Sequence, residues 1–176
     1  MFDTPNIKQA FETFGKEVIQ NARANLTRKD KNVSKELYNG MEYNYEGYKG
    51  GFRFTISMPE YGMYQDEGVK GKTSIYIKSK NSPFSYKNKF PPRAPIDRWV
   101  VRKGLSGARN AQGQFIPRKS MVFLIQRSIF QKGIEASNWF TKAFENKFKR
   151  LQPKLEDAFK LDAERFLNFV KKEVFA

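Results

Sequence analysis

The chain has neither cysteine nor histidine among its 176 residues. Those absences exclude zinc fingers, thiolate clusters, disulfide frameworks, cysteine nucleophiles and Ser-His-Asp triads. Only carboxylate or lysine chemistry remains, and the lack of disulfides fits assembly in a reducing cytoplasm. Acids are scarce as well: 18 Asp and Glu stand against 33 Lys and Arg, a formal charge of +15 at pH 7. No window approaches the ~20 uninterrupted apolar residues needed to cross a bilayer. Residues 1–15 carry Asp3, Lys8 and Glu12 where a signal peptide would need an apolar run. The expectation is a soluble protein with no membrane contact. No glycine-rich GxxxxGK[ST] cradle is present, and no cofactor or metal is expected.

What the chain has in excess is large rings, with 17 Phe, 8 Tyr and 2 Trp. A disordered basic tail would be poor in them, so the charge belongs on a folded surface. Its distribution is uneven. Residues 1–50 carry +1, residues 51–117 carry +8 and residues 118–176 carry +6. Between Gly68 and Arg109 stand 11 bases, namely Lys70, Lys72, Lys78, Lys80, Lys87, Lys89, Arg93, Arg98, Arg102, Lys103 and Arg109, against the single acid Asp97.

Periodicity divides the chain into four regions. From Pro5 to about Arg28, Ile7, Phe11, Phe14, Val18, Ala22 and Leu26 recur every three or four residues, with Thr4 as N-cap and Pro5 at the first helical position. Alternation at Met41, Tyr43 and Tyr45, a turn over 46–51, and alternation at Phe52, Phe54, Ile56 and Met58 predict a β-hairpin with one buried face. Ile75 and Ile77 suggest a third strand, with Tyr61 to Gly68 as the link. Residues 79–95 and 104–118 read as mobile loops around a short helix over 94–103. Two helical stretches follow, 119–132 and about 138–174, separated by Gly133. The second carries Phe140, Phe144, Phe148, Leu151, Leu155, Phe159, Phe166, Val170 and Val174, with Pro153 as a kink or a new start. The fold class predicted is α+β: a small antiparallel β-sheet packed by an N-terminal helix and C-terminal helices, with a long C-terminal helical extension. Residues 1–136 form the core domain and 137–176 the extension. At ~1.5 Å per residue that extension outreaches a domain of this size, so it folds back or protrudes toward a partner.

Two constellations bear on chemistry. Asp66 and Glu67 followed by Lys70 and Lys72 have the residue types of a metal-assisted phosphodiesterase. Neighbours on a strand point to opposite faces, however, so the two carboxylates would not converge on one ion. The basic segment, interleaved with Tyr76, Phe84, Tyr86 and Phe90, has two readings. It neutralises phosphates and stacks on bases, or it complements an acidic protein surface. Lys outnumbers Arg seven to four there, which suits non-specific attraction better than bidentate base reading.

The strings YGMYQDEGVKG (61–71), APIDRWVVRKGL (94–105) and FLIQRSIFQKGIEASNWFTKAF (123–144), in this order of elements, resemble the tail-completion or head-to-tail joining proteins of tailed bacteriophages. Tyr61, Tyr64, Asp66 and Gly68 match a tyrosine, acid and glycine motif of that family, and Trp139 and Phe140 match its aromatic pair. The likeness covers about residues 8–146. It departs at NVSKEL (32–37), where the family has Thr-Gly, and in the length of the tail beyond Phe148. The resemblance implies a structural protein of the virion neck, assembled in the host cytoplasm as a homo-oligomeric ring. Neighbouring portal, connector or tail proteins and genomic DNA are its implied contacts. A ring repeats one head-to-tail interface, so each subunit needs two complementary patches. The basic residues Lys70, Lys72, Lys78, Lys80, Lys87, Lys89, Arg93, Arg102, Lys103 and Arg109 are the candidate interface or DNA-facing set. Tyr61 and Tyr64 read equally well as core residues, and Gly68 and Gly71 as turn residues. A non-specific nucleic-acid-binding protein is the second reading, and an enzyme the third.

Overall fold

A computed structural model describes residues 4–48, 51–73, 76–105 and 109–175. The elements in chain order are α1 (Pro5–Arg28), α2 (Glu36–Asn39), β1 (Glu42–Tyr48), β2 (Gly51–Ser57), α3 (Tyr61–Glu67), β3 (Val69–Lys70), a 3-10 turn (Ile77–Ser79), α4 (Arg93–Arg102), α5 (Arg118–Lys132), β4 (Gly133–Ile134) and α6 (Thr141–Phe175). The fold is α+β with a long C-terminal helix, as the periodicity predicts. The chain forms two compact units that interleave along the sequence instead of dividing at residue 136. One comprises residues 1–25, 40–58 and 140–176, the other 26–39 and 59–139.

In the first unit, β1 and β2 pair antiparallel from Glu42 opposite Ser57 to Tyr48 opposite Gly51. Side chains alternate across a strand, so Tyr45, Phe54 and Ile56 share the face that packs against Ile7, Phe11, Phe14 and Val18 of α1 and Leu151 and Ala158 of α6. Rings dominate this core: Phe11 stacks on Phe54 at 5.3 Å, and Phe14 meets Phe144 edge-on at 5.6 Å. Such pairs add ~1 kcal/mol each beyond the area they bury.

Helix α1 runs antiparallel to α6, and two carboxylates fix that register. Asp162 is 1% exposed. Its Oδ1 accepts hydrogen bonds from the Asn6 backbone N–H (3.2 Å) and side-chain amide (2.7 Å), and its Oδ2 accepts from the Ile7 N–H (3.0 Å). The first turn of α1 is therefore capped by a residue 155 positions away as well as by the local chain; the Thr4 carbonyl accepts from the Lys8 N–H (3.0 Å). Three turns further on, Glu17 meets Lys147 (2.9 Å) and Lys154 (3.4 Å) of α6. Its hydrogen bond to Lys147 holds the carboxyl below the ordinary glutamate value. Helix α6 passes unbroken through Pro153. The missing N–H removes one rung of the ladder, but Leu151 and Ala158 on either side bury on the same core, and that shared burial holds the helix together.

The second unit departs from expectation where a third strand is predicted. Ile77 lies in the 3-10 turn and is 91% exposed, so no strand forms there; Ile75 lies outside the described residues. A β-branched pair is too little to nucleate a strand in a segment whose backbone is recruited elsewhere. The strand partner of this unit is β4, which pairs antiparallel with β3. Residues 61–67 form a helix. Asp66 and Glu67 therefore project ~100° apart and, as expected for other reasons, do not share a face. Helices α4 and α5 bury Ile96, Val100, Met121 and Val122 together, with Ile116, Ile125 and Ile129 around them.

Replacing Asp162 with Ala is expected to lower the unfolding free energy by about 2 kcal/mol, because buried helix-terminal N–H groups lose their acceptor; denaturant unfolding followed by circular dichroism measures it. Glu17 has a depressed folded pKa, so its stabilising effect is complete above the ordinary value of 4.5 and fades as pH falls through the folded value. The acid limb of stability against pH below 4.5 is expected to be shallower in Glu17→Gln than in the parent.

Candidate interaction surface

The second unit holds 19 Lys and Arg against 7 Asp and Glu, so it carries +12 of the +15. What positions these cations is a close passage of two backbones. Val69 pairs with Ile134 and Lys70 with Gly133. On its other side Lys70 bridges Ser85 in parallel, its N–H donating to the Phe84 carbonyl (3.0 Å) and its carbonyl accepting from the Tyr86 N–H (2.9 Å). The N–H groups of Lys72 and Thr73 donate to the carbonyls of Phe130 (2.9 Å) and Gln131 (3.1 Å).

Gly133 has φ +83, and a Cβ there would overlap the Val69 carbonyl oxygen; Gly68 has φ +74, and its Cβ would overlap Ser79 Oγ and the Ile134 carbonyl. Glycine alone suits both positions. The gap left by Gly68 is filled by hydroxyls. Ser79, wholly buried, donates to the Ile134 carbonyl (2.8 Å) and accepts from the Ala136 N–H (2.8 Å). Ser82 donates to the Gly68 carbonyl (2.7 Å) and accepts from the Phe84 N–H (3.1 Å). Helix α3 then takes up the chain after β4: Ser137 donates from N–H and hydroxyl to the Gln65 carbonyl (3.1 and 2.5 Å), the Asn138 N–H to the Asp66 carbonyl (2.9 Å), and the indole of Trp139 to the Gly62 carbonyl (3.3 Å).

Helix α3, which carries Tyr61, Tyr64 and Asp66 and ends at Gly68, is thus the element against which Trp139 is held. Trp139 is fully buried and Asp66 nearly so. Burial pushes the Tyr61 hydroxyl up, and the hydrogen bond from Tyr64 to Glu60 (3.2 Å) does the same for Tyr64. These are packing residues. Phe140 parts from its neighbour: it belongs to the first unit, against Phe144 at 6.1 Å.

A scan of protein-family models, a search of curated proteins and a search of solved structures find no match to this chain.

The ten candidate cations fall into three groups. Four are engaged within the unit: Lys78 with Glu135 (2.8 Å), Arg102 with Glu36 (3.4 Å), Lys103 with Asp30, and Arg109, whose guanidinium lies 4.0 Å from the Phe115 ring and donates to the Gly113 carbonyl (2.7 Å). The ion pair with Lys78 holds the Glu135 carboxyl below the usual range. Exposed pairs of this kind add little stability. Lys70 and Lys72 sit on the clip itself, with the Lys72 ammonium 5.6 Å from the Phe130 ring. Lys80, Lys87, Lys89 and Arg93, together with Arg98, are exposed and meet no acidic partner among the described residues.

The loop carrying those lysines was expected to be mobile, yet it is tied down along its length. Besides Ser82 and Tyr86, Phe90 stacks on Phe130 at 4.2 Å with a 12° tilt, and Gln126 donates to the Pro91 carbonyl (2.6 Å). Phe84 stands edge-on to Tyr64 at 4.6 Å, and Tyr86 lies 6.3 Å from Phe130. The rings expected between the lysines are largely engaged with other rings, leaving the lysines as the outward chemistry. Across 104–118, Arg109 bridges Phe115 around a turn held by the Asn110 side chain; residues 106–108 lie outside the described residues. No group of three or more Asp and Glu residues fit to hold a metal ion occurs among the described residues, and no described helix is long and apolar enough to cross a membrane.

Sequence reasoning misses Ser79 and Ser82, since serine in a polar loop carries no signal of burial. Gly133 reads in the sequence as a helix stop; its second role, admitting another backbone, has no local signature.

Gly133→Ala is expected to destabilise the second unit by about 3 kcal/mol or more, since both backbone conformation and space oppose a methyl. Ser79→Ala should lose about 2 kcal/mol by orphaning a buried carbonyl and N–H. Hydrogen exchange of the amides of 130–139 in each variant reports the loss directly.

Proposed function

We propose that this chain is a structural protein of a tailed-bacteriophage virion, a ring component of the neck or tail-completion assembly that joins the portal side to the tail. The observation that carries the reading is the convergence of residues 61–71 with 133–139. Both stretches lie within the strings that suggest the family from sequence, and although far apart in the chain they pack together in the second unit. Large exposed apolar side chains on α5 (Phe123, Leu124) and on the second half of α6 fit a subunit that buries more surface in an assembly than alone. The unpaired cations of the second unit then face an acidic neighbouring protein or the DNA that passes through the ring.

A second reading, non-specific binding of nucleic acid as the chain's own task, is favoured by one observation: Lys80, Lys87, Lys89, Arg93 and Arg98 project without acidic partners among the described residues while Phe84 and Tyr86 pack on Tyr64 and Phe130. Such a surface attracts phosphates without reading bases.

Antibody raised against the chain is expected to label purified particles at the vertex that carries the tail; label elsewhere, or none on intact and disrupted particles, overturns the neck assignment. Duplex DNA binding, measured by anisotropy over a salt series, separates the second reading. If Lys87, Lys89 and Arg93 contact phosphate, their simultaneous replacement by Ala should reduce the slope of log K against log salt by about 3. An unchanged slope removes those residues from any DNA contact.

A further inference from the structure

Helix α5 turns one side to α4, burying Met121 and Val122 with Ile125 and Ile129 beside them. A second side is built from rings and cations. At ~3.6 residues per turn, Lys119, Phe123, Gln126 and Phe130 fall within about 60° of one another around the helix, over a length of about 16 Å. Three contacts lay other segments of the unit along that side: Gln126 donates to the Pro91 carbonyl (2.6 Å), Phe90 stacks on Phe130 at 4.2 Å, and the Lys72 ammonium lies 5.6 Å from the Phe130 ring. Phe130 is buried, but Phe90 on top of it is 47% exposed, and Phe123, two turns back along α5, is 51% exposed. Five exposed cations accompany these rings: Lys72, Lys89 next to Phe90, Arg93 at the start of α4, Lys119, and Arg127 one turn on from Phe123. None of the five forms an ion pair among the described residues, and the only acid in α4 or α5, Asp97, is met by Arg118 (3.1 Å).

We infer that this side of α5 is a track for single-stranded nucleic acid, its phosphates drawn to the five cations and its nucleobases stacked on Phe90 and Phe123; this rests on the second reading above, that the chain binds nucleic acid, and names the form it takes and the place. Three observations select that occupant. The first is the pairing of rings with cations. A duplex keeps its nucleobases stacked on one another and offers a protein phosphates and groove edges, so exposed rings add nothing to holding it. A single strand offers open base faces, and stacking on them tolerates any sequence, in keeping with a surface of mostly lysine. The second is area. Two half-exposed rings provide only about 200 Å² of apolar surface, far short of the ~800 Å² per partner of a stable protein interface. A strand needs only a narrow track, since phosphate contacts and one or two stacked nucleobases supply its affinity. The third is order. Phe90 is held by Phe130 and the next residue's carbonyl by Gln126, so ring and cations are in place before a ligand arrives and little conformational freedom is lost on binding.

Fluorescence anisotropy of the full chain with labelled oligo(dT), and with a duplex of equal length at the same moderate salt, tests it. The parent is expected to bind oligo(dT) about 10-fold more tightly than the duplex, although the duplex has the denser charge. Phe123→Leu and Phe90→Leu keep apolar bulk and remove the ring. Each should weaken oligo(dT) binding about 10-fold and leave duplex binding as in the parent. Phe90 covers Phe130, so circular dichroism accompanies its variant; Phe123→Leu, at an exposed position, decides the matter if Phe90→Leu disturbs the fold. Leu124→Ser, exposed on another side of α5, should bind both forms like the parent. Duplex binding as tight as that of oligo(dT) overturns the inference and leaves the second reading standing. A preference for oligo(dT) that survives the loss of the Phe123 ring overturns the track. A loss in Leu124→Ser as large as in Phe123→Leu overturns it in favour of unspecific apolar adhesion. A parent that binds neither nucleic acid removes the second reading and the track together, and one that then co-floats with phosphatidylserine vesicles assigns the surface to anionic lipid.

Discussion

The second unit depends on two backbones passing closer than side chains allow. Where Val69–Lys70 runs beside Gly133–Ile134, the glycines at 68 and 133 have positive φ and no space for a Cβ. Hydrogen bonding completes the contact: Ser79 and Ser82 pair the carbonyls and N–H groups that so close a passage would otherwise strand. From there α3 is held against residues 135–139, the Trp139 ring is buried, and the lysine-rich loop is anchored through Lys70 to Ser85. The outward cations owe their placement to this inner, uncharged arrangement.

The first unit uses the opposite strategy, with large rings filling its middle and carboxylates setting its register. Asp162 caps α1 from the far end of the chain, and Glu17 bridges two lysines of α6, so polar contacts flank the apolar centre along the same pair of helices. Hydrophobic burial is non-directional and would tolerate a slip of α1 along α6. A carboxylate that must meet the N–H groups of Asn6 and Ile7 does not. Helix α6 thus has one face committed to its own unit.

Much of the fold was legible in the sequence because its signals are local. Helix α1, the hairpin, α4, α5 and α6 follow the spacing of Phe, Leu and Ile, and Gly133 marks the end of α5. The third strand expected at Ile77 failed because β propensity is a statement about fit to a half-buried surface, and the backbone there turns out to solvent. Pro153 looked like a breaker, and the flanking burial of Leu151 and Ala158 overrode it. Of the candidate site, the sequence located the cations but not their state. Which lysines are paired depends on Glu36, Asp30 and Glu135, distant in sequence, and whether Phe84 and Phe90 face outward depends on Tyr64 and Phe130. Asp162 did leave a trace, an acid seated among apolar residues on an amphipathic helix.

The interleaving of the two units has a consequence for biosynthesis. The second unit is drawn from residues 26–39 and 59–139, all of which leave the ribosome before α6 is made. The first unit needs residues 140–176 to cover the rings of α1 and the hairpin. During translation, Phe11, Phe14 and Phe54 therefore wait without their α6 partners while the basic unit is already able to form its glycine clip. The residues of α6 that complete the core of the first unit emerge only after the whole of the second unit.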